Sequence, residues 1–129
     1  MSSEMLNDVV SAALTKALDG TAKRHRTLAS NIANVDTPGY LRKDVAFHDE
    51  LKAALDSAGD YDHSMAELER VRPKSFIDLT RSARADGNTV NIESEMAELA
   101  KNNLEYQSDV QLLMSKLRML SIAISEGRK

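Results

Sequence analysis

Cysteine and tryptophan are absent from this 129-residue sequence, and aromatic side chains occur only at Tyr40, Phe47, Tyr61, Phe76 and Tyr106. Without cysteine there is no disulfide, thiol nucleophile or thiolate metal site, an absence compatible with any compartment. So few rings argue against the core of a compact enzyme, whereas helix–helix seams manage with Leu, Ile, Val, Met and Ala. Also missing is any run of about 18 apolar residues, so no membrane span is expected. Glu4, Asp8 and Asp19 interrupt the apolar stripes of the first twenty residues, which lack the basic start and apolar block of a cleavable secretory signal. Nor does one sign of charge dominate. The formal net charge is −3, spread along the chain, which speaks against a dedicated nucleic-acid binder. The locally basic stretch from Arg70 to Arg84 reads as a solvated loop face.

Apolar periodicity dominates what is present. From Glu4 to about Val35 two stripes recur at helical spacing: Leu6, Val10, Ala13 and Ala17, then Leu14, Leu18, Thr21, His25, Leu28, Ile32 and Val35. A face this broad suits packing against more than one neighbour, and Gly20 is a candidate break or kink. Near the other end Ile92, Met96, Leu99, Asn103, Tyr106, Val110, Leu113, Leu117, Leu120 and Ile124 alternate spacings of four and three without a miss. This predicts a coiled-coil-type helix of about 50 Å, opened by Asn91 as N-cap with Glu93 and Glu95 in its first turn, and closing near Gly127 to Lys129. Asn103 reads either as a polar seam residue that fixes register or as a partly exposed position near a splayed end.

The middle, residues 41–91, is less regular. Val45 to Leu55 predicts a short helix with Leu51 and Leu55 on one face. Ser57 to Ser64 reads as a loop, Pro73 forbids a regular helix across Arg72 to Ser75, Ser75 to Thr80 has weak strand character, and Asp86-Gly87-Asn88-Thr89 signals a turn. The fold class expected is mainly α. Long N- and C-terminal helices (1–40 and 92–129) pair as an antiparallel coiled-coil-like unit around a small, irregular, partly β middle insert. Apolar surface left over from that pairing predicts association with other chains.

No catalytic constellation survives inspection. His25, His48 and His63 are scattered, and His25 falls on the apolar stripe, where it reads as a seam residue. Successive residues of His48-Asp49-Glu50 on a helix point about 100° apart and cannot converge on one ion. Ser30 has no nucleophile elbow, no glycine-rich phosphate loop occurs, and the pairs Glu93/Glu95 and Asp60/Asp62 are explained by capping and solvation. Neither enzyme chemistry nor a cofactor or metal is expected.

The most specific local feature is the corner Ala33-Asn34-Val35-Asp36-Thr37-Pro38-Gly39-Tyr40. Pro38 and Gly39 suit positions i+1 and i+2 of a type II turn. Asn31 and Asn34 can satisfy carbonyls at the helix end or bond across an interface, and Tyr40 offers an amphipathic anchor. Residues 28–47 together with 86–124, which opens Asp-Gly-Asn-x-Val, resemble the bacterial flagellar basal-body rod and hook family, and most closely its short proximal-rod members. Leu41, followed by Arg42 and Lys43, stands where the family often has a basic residue, and little consequence is expected of that.

The resemblance implies a structural subunit of the proximal rod that self-assembles helically and transmits torque for motility. It also implies export through the flagellar type III apparatus without a cleaved signal peptide, and a place in the periplasmic rod. The partners implied are the rod proteins FlgC, FlgF and FlgG, the rod-base adapter FliE, the MS ring and the type III export gate. Partner contacts are then expected from Leu28, Asn31, Ile32, Asn34, Thr37, Pro38, Gly39 and Tyr40, and from Leu99, Asn103, Tyr106, Val110, Leu113, Leu117, Leu120 and Ile124. The alternative is a soluble helical adaptor or chaperone-like module using the same seam.

Overall fold

Ser2 opens the fold: its hydroxyl oxygen accepts the Met5 N–H at 3.3 Å, satisfying one of the donors that every helix start leaves unpaired. In the computed structural model, which describes residues 2–57 and 59–128, the helix that follows, α1, runs unbroken over Ser3–Ala33, about 46 Å. After it come β1 (Lys43–Ala46), α2 (His48–Asp56), α3 (Tyr61–Arg70), β2 (Lys74–Ile77) and α4 (Ile92–Gly127). Among the described residues no helix is long and apolar enough to cross a membrane. Ala58, within the expected middle loop, and Lys129, at the expected helix end, lie outside the described residues.

Gly20 does not break α1. A Cβ at this position would lie 2.4 Å from the ring of Phe47, which is itself buried, so the missing side chain makes room for that ring. We expect Gly20→Ala to destabilise the chain by about 1–2 kcal/mol despite alanine's better helix propensity, because overpacking a filled site outweighs it. The midpoint of denaturant unfolding reads this directly, and a Gly20→Ala chain more stable than wild type would contradict it.

Asn91 caps α4 as expected, its side-chain oxygen accepting the Ser94 N–H at 3.1 Å. The two long helices pair antiparallel: Lys116 reaches Asn7 (3.1 Å), Asn102 donates to the Thr21 carbonyl (2.8 Å), Glu98 meets Arg24 (2.9 Å) and Glu95 meets Asn31 (3.0 Å). The face of α4 turned to α1 is therefore not the apolar seam read from the sequence. It lies about one residue round the helix and is largely polar, with Glu95 and Asn102 fully buried and Leu99, Val110 and Leu113 half-buried where the two stripes overlap. Asn102, not Asn103, is the buried amide. Ile92, Met96, Tyr106, Leu117, Leu120 and Ile124 are exposed, and Asn103 with them. His25, expected in a seam, is exposed as well.

Between the long helices, β1 and β2 form an antiparallel two-stranded sheet in the register Lys43↔Ile77 to Ala46↔Lys74. The α2–α3 pair is inserted between these strands and packs on the first half of α1. Val9, Leu51, Ala54, Leu68 and Val71 form that core, with Ala13 and Ala17 beside them. The expected 45–55 helix thus starts only at His48, and Ala54 rather than Leu55 joins Leu51 inside. The expected loop to Ser64 ends early: the Asp60 carboxylate accepts the His63 N–H at 2.9 Å and starts α3.

Candidate functional site

Four residues past the last turn of α1 the chain folds back on itself. Asn34 donates from its side chain to the Ser30 carbonyl (2.8 Å) and accepts the Thr37 hydroxyl (3.1 Å). The Tyr40 N–H reaches the Thr37 carbonyl at 3.2 Å, closing the expected turn with Pro38 at i+1 and Gly39 at φ +73°. A second glycine turn is docked on this corner. Gly39 N–H donates to the Asp86 carbonyl (2.9 Å) and Thr89 N–H to the Tyr40 carbonyl (3.0 Å). Gly87, at φ +83°, sits so close that a Cβ would be 3.4 Å from the Gly39 Cα.

Asn88 bolts the two turns together. Its fully buried amide nitrogen lies 2.9, 3.1 and 2.8 Å from the carbonyls of Asn34, Val35 and Thr37, and its oxygen accepts the Val90 N–H at 2.7 Å. These carbonyls belong to the cap of α1 and the turn that follows it, so the amide fixes the corner just past the helix end. The Arg84 guanidinium adds hydrogen bonds to the Val35 and Val90 carbonyls. Asn88→Ala should therefore cost about 1–3 kcal/mol in denaturant unfolding, and Asn88→Asp should not rescue it, since a carboxylate cannot donate. An aspartate variant of wild-type stability would sink this role.

Asn31 lies one helical turn earlier and is closed to solvent. Its amide donates to the Lys43 carbonyl (2.7 Å) and accepts the Lys43 N–H (3.1 Å), imitating a strand partner at the start of β1. The same side chain donates to Glu95 and accepts the Tyr40 hydroxyl at 3.2 Å. Beneath it Arg42, 2% exposed, bonds three carboxylates: Glu95 through Nε, Asp78 at 2.9 Å and Asp44 at 3.1 Å. Its backbone N–H donates to the Thr89 hydroxyl at 2.7 Å. Arg24 of α1 extends the network, bonding Asp44 at 2.8 Å and Glu98 at 2.9 Å.

The electrostatics follow from these contacts. Burial alone would raise the Asp44 carboxyl, but the hydrogen bonds from Arg24 and the Val45 N–H, with the nearby Arg charges, hold it below its ordinary value. Thr80, through its hydroxyl and its N–H, and then Arg42 do the same for Asp78. Burial pulls the Arg42 guanidinium down, yet Glu95 and Asp44 carry it above its usual range. The network stitches α1, β1, the end of β2 and α4 around two guanidinium groups, Arg42 and Arg24.

Of the residues expected to meet partners, Leu28 and Asn31 lie in the chain's own interior, each 0% exposed. Ile32, Asn34 and Tyr40 are half-buried, whereas Thr37, Pro38 and Gly39 stand open at the corner. On α4 Leu99, Val110 and Leu113 are half-buried; Asn103, Tyr106, Leu117, Leu120 and Ile124 are open. Sequence reasoning missed Arg42, Glu95, Asn88 and Asn102. Arg42 enters the sequence reading only as the residue after Leu41, and Glu95 only as a first-turn carboxylate of α4, because nothing local marks a charge whose partners lie far along the chain.

Residues 13–40, most of α1 through to the corner's Tyr40, match the family model described as "Flagella basal body rod protein". The flagellar basal body rod protein FlgB of Proteus mirabilis is 30% identical over 124 residues, covering 87% of this chain and 90% of that protein. FlgB of Aeromonas hydrophila is 32% identical over 114 residues, covering 84% and 86%. FlgB of Escherichia coli K12 is 30% identical over 124 residues, covering 87% and 90%. Such likeness does not favour the adaptor or chaperone-like alternative. The two long paired helices, their locked corner and this identity along most of the sequence make the chain a member of the FlgB flagellar basal body rod protein family, a structural subunit of the rod.

Proposed function

We propose that the chain builds the proximal, periplasmic part of the rod, reaching it by flagellar type III export without a cleaved signal peptide, and that it transmits torque there. Its neighbours would be further copies of itself, FlgC, FlgF and FlgG, with FliE, the MS ring and the export gate at the base. The observation that supports this reading is the outer surface of α4. From Leu112 to Ile124 it exposes Leu112, Met114, Leu117, Met119, Leu120, Ile122 and Ile124, each by more than half. An open groove of about 540 Å³ runs beside them, between Leu117, Leu120 and Ala123 and the first turns of α1 at Glu4, Asn7 and Ser11. A surface this apolar marks an interaction site, and covering it with neighbours is favourable by roughly 25 cal/mol per Å² removed. The buried Arg42 network is the rigid element that would carry load from α4 to α1.

Basal bodies purified from the source organism test the reading. The chain should be a constituent of them, and a strain lacking its gene should form no rod and should not swim. Basal bodies without the chain, or a swimming deletion strain, would refute it.

A further inference from the structure

Beyond the corner and the apolar stripe, α1 carries a second feature on the face that packs the α2–α3 pair. Val9, Lys16, Lys23 and Ser30 recur every seven residues and so share that face. Val9 is covered by the α2–α3 core, and Lys16 donates to the Val71 carbonyl at 3.1 Å. Cover ends where Phe47 sits on Gly20. Past it the same face opens into a groove of about 320 Å³ between α1, β1 and β2, with Lys23, Arg26 and Lys43 as its cations and hydroxyls from Thr27, Ser30 and Ser75. No carboxylate lines it. Among the described residues Arg26 and Lys43 have no ion-pair partner, and Lys23 donates to the Pro73 carbonyl at 3.0 Å.

The complement lies on the same chain, out of reach. Residues 48–70 hold seven carboxylates against Lys52 and Arg70. Asp49, Glu50, Asp56, Asp62 and Glu69 are exposed and, among the described residues, unpaired. This acidic α2–α3 pair is centred near residue 13 of α1 and the basic groove near residue 26, which separates them by about 20 Å along the helix. One chain cannot join its own two patches.

We propose that the basic groove receives the acidic α2–α3 pair of a second copy of the chain, which faces the first across the side of α1 that carries both patches. Because groove and acidic pair share one face of α1, two copies that face each other with their α1 helices antiparallel bring each groove onto the other's acidic pair, so the contact is isologous. The ion pairs set register and orientation, and salt weakens them. The proposal rests on reading the chain as a subunit that associates with its own copies.

The absence of cysteine makes the test clean. A Ser30→Cys chain is mixed with an Ala53→Cys chain and treated with a short bis-maleimide. Cross-linked heterodimer should form at low ionic strength and decline as salt is added. Arg26→Glu with Lys43→Glu in the Ser30→Cys chain should lower the yield about tenfold or more. Asp49→Lys with Asp56→Lys in the partner should then restore it, which a merely misfolded groove would not allow. Absence of the cross-link, or a yield indifferent to charge reversal, overturns this contact. Recovery of the same charge-reversed chain in purified basal bodies would then show that the subunit reading stands without it, while its loss along with the wild-type chain would strike the subunit reading itself.

Discussion

Replacing Arg42 by methionine should lower the stability of the isolated chain by about 3–5 kcal/mol, the range for removing one partner of a buried ion pair. The reason lies in what each carboxylate keeps. Asp44 still has Arg24, and Asp78 still has Thr80 and Arg81. Glu95, 1% exposed, keeps only the Asn31 amide and becomes a buried charge with no cation. A domain of this size has roughly 5–15 kcal/mol in total, so the variant should be largely unfolded at modest denaturant. Arg42→Met combined with Glu95→Met should recover much of the loss, because apolar residues can replace a buried pair. Glu98→Gln, at the exposed rim of the same network, should change stability by about 1 kcal/mol or less. Denaturant midpoints of the four chains measure this, and an Arg42→Met chain near wild-type stability would remove the network from the account.

Leu117→Asp with Leu120→Asp should do the opposite. Both side chains are more than half exposed, so the isolated chain should unfold within about 0.5 kcal/mol of wild type. In a rod whose neighbours cover α4, the same carboxylates must be desolvated without partners, at several kcal/mol each, repeated at every subunit. Motility in soft agar should be abolished although the protein is made and folded. Normal swimming would mean that this surface meets no neighbour.

How much of this is legible in the sequence depends on the range of the interaction. The two long helices, the Asn91 cap, the Pro38-Gly39 turn and the Asp86-Gly87 turn are written in neighbouring residues, and each is where periodicity or turn chemistry puts it. The α3 helix was hidden because Tyr61, Met65 and Leu68 sit among acids just after Gly59. The four-three alternation on α4 is real, but it marks the face left open; the face used within the chain carries Glu95, Glu98 and Asn102. No local pattern reveals this, since Glu95 is neutralised by Arg42, which is 53 residues away, and positioned by Asn31, which is 64 away. The elaborate polar corner has the same explanation. Asn31 and Asn34 are spent inside the chain, and Asn88 arrives from the far side of the middle insert to hold the end of α1.

The central claim is that the outer stripe of α4 becomes covered when the chain is part of the rod. A Leu120→Cys variant carries the chain's one thiol, so maleimide labelling reads that position alone. The thiol should react freely in the purified chain, be protected about tenfold or more in purified basal bodies, and react again once those are denatured. Equal labelling in the free chain and in intact basal bodies that contain it would contradict the account.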